Sequence, residues 1–250
     1  MGILEAYDES NEIVKAEIFT RGMCELPEIA IVVFKTELID YIKNNDAFEE
    51  FSYTLVGGEK IKIYKTNYAG KDVIVYRTLM GGPAAVGMME ELIARGVKKF
   101  IVFGSCGQLN GNVPKGAFII PTEAYRDEGT SYHYLPASEF IKIDTAEKLS
   151  QIFEDNAIHY YCTKTWTTDA IYRETVGKVK RMSENGCDVV EMECASIMAM
   201  SKLRNIESYQ FLYCDDTLES DEWKLRTMQD DRSPILTECL RIALKVVEKI

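Results

Sequence analysis

The apolar positions of this chain fall into short runs and helical repeats that alternate along its length. Ile29-Ala30-Ile31-Val32-Val33-Phe34 is an unbroken apolar run of the kind that forms a buried strand, and Thr36 to Asn44 then spaces its apolar residues as a helix does. Three strand-like segments follow, Phe51 to Val56, Ile61 to Thr66 and Val73 to Arg77, separated by turns at Gly57-Gly58 and Asn67 to Lys71. Pro83 to Arg95 reads as a helix that starts at a proline and stops at Gly96, and the apolar strand Phe100 to Phe103 comes next. Strand, helix, strand in that order predicts a parallel crossover.

The same reading places helices at Ala146 to Asn156, Thr175 to Asn185, Cys194 to Leu203 and Ile235 to Lys249, with strands near Ala117, Tyr160, Val189 and Tyr209. The predicted fold is α/β, a three-layer αβα arrangement around a central mixed, largely parallel twisted sheet. The first 28 residues read as a surface arm. There is no repeat, low-complexity tract or Pro/Ser-rich linker, so a single domain over residues 1–250 is expected.

Composition narrows the classes. At 46% hydrophobic and 28% charged, 250 residues can bury a full core and show no sign of disorder. No apolar run approaches the roughly 18 residues of a membrane helix, and the first residues lack a basic region followed by an apolar one. The seven cysteines stand singly at 24, 106, 162, 187, 194, 214 and 239, which indicates neither a zinc site nor a disulfide framework and fits a reducing cytoplasm. With only His133 and His159, a histidine-rich metal centre is excluded. A net charge of −11 disfavours nucleic acid as a partner, so any bound phosphate must be small and locally cradled.

Chemistry-bearing residues cluster where apolar runs end, which in open α/β sheets is the ligand edge. Glu191-Met192-Glu193 puts two carboxylates between an apolar strand and a small-residue helix; an extended Glu-Met-Glu would send both acids to one face, suiting a diol, while the plainer reading is that Glu193 caps the helix. Gly104-Ser105-Cys106-Gly107 follows Ile101-Val102-Phe103 and reads either as an anion-binding glycine turn or as a plain tight turn. Met80-Gly81-Gly82-Pro83 is a second glycine turn before a helix. Asp215-Asp216 closes a further apolar run; adjacent acids in a cleft would raise one another's pKa and leave one as a general acid, whereas the alternative is a solvated loop before a helix cap at Ser220-Asp221-Glu222. Arg77, Arg126, Arg173 and Arg226 could each neutralise an anion, and the polar, aromatic segment from Arg126 to Tyr134 could form a wall or lid.

In this order, Met80-Gly81-Gly82-Pro83 with Glu90-Glu91-Leu92, Gly104-Ser105-Cys106-Gly107, Thr168-Asp169-Ala170-Ile171-Tyr172, Val190-Glu191-Met192-Glu193 and Asp215-Asp216 resemble the nucleoside phosphorylase family. That family contains bacterial hexameric purine nucleoside phosphorylase, uridine phosphorylase and the methylthioadenosine nucleosidases. The resemblance implies that Glu193 holds the ribose hydroxyls, Met80 and Met192 pack on the sugar, Gly104 and Ser105 meet phosphate, and Cys106, Gly107, Ile171 and Arg173 border the base. It makes Asp216 the acid and Arg226 its positioning partner. It also implies a pentosyltransferase with inorganic phosphate as co-substrate, no metal or organic cofactor, and a homo-oligomer, dimer or hexamer. Two family signatures are absent: Val102-Phe103 stands where an arginine is usual, and Phe34-Lys35-Thr36-Glu37-Leu38 replaces a Gly-x-Pro-x-Arg pattern, leaving Lys35 as the nearby cation.

The expected reaction is phosphate-dependent cleavage of the N-glycosidic bond of a purine nucleoside or of uridine, giving free base and ribose 1-phosphate. Hydrolysis by a nucleosidase is the alternative. A nucleoside-binding protein without turnover is the third reading, and an acid at Asp216 argues against it, since a binder needs only the diol carboxylate.

Overall fold

The unbroken apolar run from Ile29 forms a strand covered on both faces. The computed structural model describes residues 2–218 and 232–250. In chain order the elements are α1 (Ala16–Phe19), β1 (Ile29–Val33), α2 (Thr36–Lys43), β2 (Glu49–Val56), β3 (Glu59–Tyr68), β4 (Lys71–Arg77), α3 (Gly82–Ile93), β5 (Lys99–Gln108) and β6 (Phe118–Asp127). They continue with α4 (Ser131–Tyr134), β7 (Phe140–Lys142), α5 (Ala146–Asp155), β8 (Tyr160–Thr168), α6 (Val176–Glu184), β9 (Cys187–Glu191), α7 (Cys194–Arg204), β10 (Glu207–Thr217) and α8 (Ser233–Lys249).

The central strands split their side chains between two cores. Ile29, Ile31 and Val33 of β1, Val73 and Val75 of β4, and Ile101 and Phe103 of β5 join the cluster that holds α2, α5 and α8. Their neighbours Ala30, Val32, Ile74, Tyr76, Phe100 and Val102 join a second cluster with α3 and with Ile197 and Met200 of α7. Period-two alternation into two apolar layers is why these strands read as continuous runs.

The sheet runs β2-β3-β4-β1-β5, with β1 parallel to both β4 and β5, so β4, α3 and β5 make the predicted crossover. Beyond β5 it curls: β10 pairs with β5 in parallel along one edge, and β6, β8 and β9 lead round until Val189 and Val190 of β9 meet Gln108 and Gly107. The sheet is mixed, and antiparallel pairs close this ring and form the β2-β3-β4 meander. Pattern reading missed β7, α4 and the ring closure, because Phe140–Lys142 is too short to show a period.

One consequence positions the site. Along its second edge β5 pairs with β1 from Lys99 to Val102 and with β9 only at Gly107 and Gln108. From Phe103 to Cys106 no described strand covers that edge. Where the parallel neighbour β1 leaves this edge near the carboxyl end of β5 and the antiparallel β9 joins only at Gly107 and Gln108, a crevice opens with exposed backbone groups at its floor.

The segment preceding β1 is largely exposed, carrying Ile3, Leu4, Ile13, Val14, Ile18 and Phe19 at the surface, although Glu12 pairs with Arg204 at 2.9 Å and Leu26 is buried. Among the described residues no helix is long and apolar enough to cross a membrane, and no group of three or more His, Cys, Asp or Glu side chains could hold a metal ion.

Candidate active site

The crevice is a cavity of about 190 Å³ lined by Phe34 and Lys35 after β1, Met80 before α3, Gly104 to Gly107 of β5, Ile171 and Glu174 after β8, Val190 to Glu193, and Asp216 and Leu218. A larger hollow of about 450 Å³ lies between the N-terminal segment and α3, away from the strand ends.

The glycines on its floor are not a turn. β5 runs straight through Gly104-Ser105-Cys106-Gly107, and neither glycine has positive φ, which corrects the tight-turn reading. Their value is flatness. A Cβ on Gly107 would lie 2.8 Å from Leu218 Cδ1, 3.0 Å from Asp216 Oδ1 and 3.2 Å from Val190 Cγ1, and one on Gly104 would lie 3.3 Å from the Phe34 ring. Without side chains there, Asp216 can lie over the strand.

The two aspartates also part company. β10 continues to Thr217 with a bulge, so that Cys214 opposes Cys106 and Asp216 opposes Gly107, leaving Asp215 as the extra residue. Such a bulge re-aims the side chain that follows it. Asp216 lines the cavity, whereas Asp215 is buried and pairs with Arg232 at the start of α8, 3.3 Å away. The expected proton-sharing pair in a loop is therefore replaced by one acid inside the cavity and one outside it.

Glu191 and Glu193 likewise take different directions, because β9 ends at Glu191 and the chain bends before α7. Glu191 is buried and accepts hydrogen bonds from Thr167 Oγ1 at 2.5 Å, Thr165 Oγ1 at 3.3 Å, and the N–H groups of Glu193 and Cys194 at 2.6 Å each. It thus satisfies N–H groups at the start of α7. The capping task suggested for Glu193 belongs to Glu191.

Glu193 instead reaches across to accept the Gly81 N–H at 2.6 Å. Gly81 has φ of 97°, a conformation that favours glycine, and a Cβ on Gly82 would strike Ser196 Oγ of α7 at 2.3 Å. The Met80-Gly81-Gly82-Pro83 motif therefore seats α3 closely on α7 and leaves Met80, 66% exposed, at the cavity rim beside Met192 and Glu193. Burial, and then the neighbouring Glu191, push the Glu193 carboxyl up to about 8.

A family model described as "Phosphorylase superfamily" matches residues 28–248. The chain belongs to this superfamily. It is 26% identical over 210 residues to a guanosine phosphorylase of Halorubrum lacusprofundi, covering 83% of this chain and 86% of that one. It is 27% identical over 181 residues to a DeoD-type purine nucleoside phosphorylase of Bacillus cereus, covering 71% and 76%. The purine nucleoside phosphorylase of Toxoplasma gondii, solved with immucillin-H, shares the fold with a TM-score of 0.74 at 19% identity, over 90% of this chain and 91% of that one.

Within this phosphorylase-superfamily site, Met80, Gly104, Ser105, Cys106, Gly107, Ile171, Met192, Glu193 and Asp216 come together around one cavity. Arg173 is exposed and does not line it; Arg226 lies outside the described residues, as does the helix cap expected at 220–222. Arg77 borders a separate surface hollow with Lys43, Lys60 and Lys62.

Arg126 is buried and consumed locally: it donates to Ser131 Oγ (2.8 Å), the Pro136 carbonyl (2.7 Å), Ser138 Oγ (2.9 Å) and the Leu135 carbonyl (3.2 Å), and stacks 4.1 Å from the Tyr132 ring centroid. Glu128 accepts from Ser196 Oγ at 2.6 Å and from Ser131. The segment expected as a wall or lid is instead a brace against α7, and none of it lines the cavity. Val102, where the resemblance led to the expectation of an arginine, is packed in the second core.

Glu174 escaped the sequence reading. It follows a 3-10 turn at Ile171–Arg173 and is half-buried, while Tyr172, Arg173 and Thr175 around it are exposed. Burial and the nearby Asp216 push it up to about 7, against a smaller opposing effect of Lys178. Nothing in spacing separates an inward Glu174 from an outward Arg173 so close to the turn. Arg232, which holds Asp215, escaped it as well.

Proposed function

We propose that the protein cleaves the N-glycosidic bond of a purine nucleoside with inorganic phosphate, releasing the base and ribose 1-phosphate. The observation that carries this reading is the convergence of Glu193, Ser105 and Asp216 on one cavity, with Asp216 laid over Gly107. Glu193 accepts the two ribose hydroxyls, with Met80 and Met192 against the sugar. Ser105, the open edge of β5 and Lys35 receive the phosphate. As the glycosidic bond stretches, negative charge builds on the base and positive charge on the ribose; a proton from Asp216 relieves the first, and the phosphate relieves the second and attacks C1′. The step as written uses no metal or organic cofactor. The guanosine and purine nucleoside phosphorylases that the chain resembles favour purine over uridine.

Hydrolysis is the second reading, and one observation favours it. Among the described lining side chains Lys35 is the single cation, set against the carboxyl groups of Glu174, Glu191, Glu193 and Asp216, a poor setting for a dianion. Product analysis separates the two: incubation with guanosine, inosine, adenosine or uridine, with and without phosphate, gives ribose 1-phosphate only with phosphate if the first reading holds. Free ribose at equal rates in both arms sinks it. Binding with no base release would leave the reading without turnover.

A homo-oligomer is part of the same proposal, with a cation from a neighbouring copy joining Lys35. The apolar side chains exposed before β1 support it, and light scattering tests it. The seven free cysteines accord with the cytoplasm.

A further inference from the structure

At the proposed phosphate end of the cavity stand Ser105 and Lys35, and the strand beside Ser105 carries a polar group that none of the proposed roles uses. β10 pairs with β5 in parallel and sets Tyr213 directly opposite Ser105, so the two side chains leave the sheet on the same face. Tyr213 is 1% exposed and belongs to the first core, with Phe103 and Phe211. Its side chain also closes a narrow hollow behind Gly104, whose walls include Phe34 and Lys35 of the cavity itself.

The Tyr213 hydroxyl is buried and has no hydrogen-bond partner of good geometry among the described residues. Leaving such a group unsatisfied costs stability, and buried tyrosines ordinarily find a partner. Burial, and then Asp215, push its pKa up, so it stays a protonated donor; the Ser105 side chain pulls the other way, which puts the two hydroxyls close together. Asp215 is itself tied to Arg232 of the α8 start at 3.3 Å, which anchors the end of β10.

We propose that Tyr213 is a positioning residue for phosphate: it donates to Ser105 Oγ and so leaves the Ser105 proton to point at the anion. The inference rests on the phosphorolysis reading above. A serine hydroxyl has one proton and turns it toward any acceptor in reach, whereas an incoming bond from Tyr213 occupies a lone pair and directs that proton into the cavity. Two bonds in line, from Tyr213 to Ser105 and from Ser105 to phosphate, polarise one another in a site of low dielectric. Tyr213 itself stays in the core and does not touch the anion. It strengthens the donor at Ser105 without adding a charge, in a cavity where Lys35 is the single cation among the described lining side chains.

The test is a double-mutant cycle of Tyr213→Phe, Ser105→Ala and the two combined, read by the KM for phosphate at saturating nucleoside and by calorimetric binding of inorganic phosphate. Tyr213→Phe removes one oxygen that has no well-formed bond to a described residue, so the melting temperature in phosphate-free buffer should not fall. The KM and Kd for phosphate should rise roughly 5- to 10-fold, while the KM for nucleoside and the kcat at saturating phosphate stay within about twofold of wild type. In the Ser105→Ala background the same change should have no effect on phosphate, because no hydroxyl is left to position. An unchanged phosphate KM in Tyr213→Phe, or an equal loss with and without Ser105, overturns the role of Tyr213 and leaves the proposed reaction standing. If wild type releases base at the same rate with and without phosphate and does not bind it, the phosphorolysis reading falls and this inference with it.

Discussion

Glu193→Gln keeps an oxygen to accept the Gly81 N–H and removes a charge that the fold holds at a cost. The carboxyl titrates at about 8 in the folded protein against an ordinary 4.5, because burial and Glu191 disfavour its ionised form. At about 1.4 kcal/mol per pKa unit, discounted because solvent reaches part of the side chain, ionisation costs the native state roughly 2–4 kcal/mol. Below the ordinary value both states are protonated and the effect is absent. Between 4.5 and about 8 the unfolded chain loses its proton first, so the native state binds more protons and stability falls as pH rises; above about 8 the full loss is in place. Urea unfolding should therefore show the variant more stable than wild type by a few kcal/mol at about pH 9 and equal to it at about pH 4. The same change should lower kcat/KM on ribonucleosides above about pH 8, where the ionised carboxylate with two acceptor oxygens gives way to an amide with one. A stability difference that does not vary with pH, or a loss of stability at high pH, would refute the reasoning.

Three further outcomes follow from the geometry. Asp216→Asn should slow release of a neutral purine by about 10²–10⁴-fold but hardly affect a 7-methylpurine nucleoside, whose base leaves without a proton; equal losses on both would remove the acid role. Gly107→Ala should displace Asp216 and Leu218, costing about 1–3 kcal/mol by thermal unfolding and most of the activity, so unchanged kinetics would deny the close approach. Arg126→Met should cost about 3–5 kcal/mol, because it strips Ser131, Ser138 and two carbonyls of their partner, without raising the KM for phosphate; a rise in that KM with stability intact would return Arg126 to the anion site.

The amino-acid pattern by itself determined the layers, the crossover through α3 and the strand ends where the chemistry collects. Buried strands and amphipathic helices announce themselves through local periodicity, and strand ends are where apolar runs stop. The order of the motifs, through their resemblance to a known family, also named most of the residues that meet in the cavity from Met80 to Asp216, but it missed Glu174 and included Arg173, which stays outside.

Direction was decided only in three dimensions. Whether Asp215 or Asp216 faces the cavity depends on a bulge, and a bulge depends on how β10 registers against β5. Whether Glu191 or Glu193 satisfies the start of α7 depends on where β9 ends. Arg126 looked like a free cation until the loop from Leu135 to Ser138 folded back over it. The floor at Gly104 to Gly107 looked like a turn because glycines most often mark turns. In this fold they clear a flat strand between two diverging neighbours, and that clearance comes from pairings as far apart in sequence as β1 and β9, which no local pattern records.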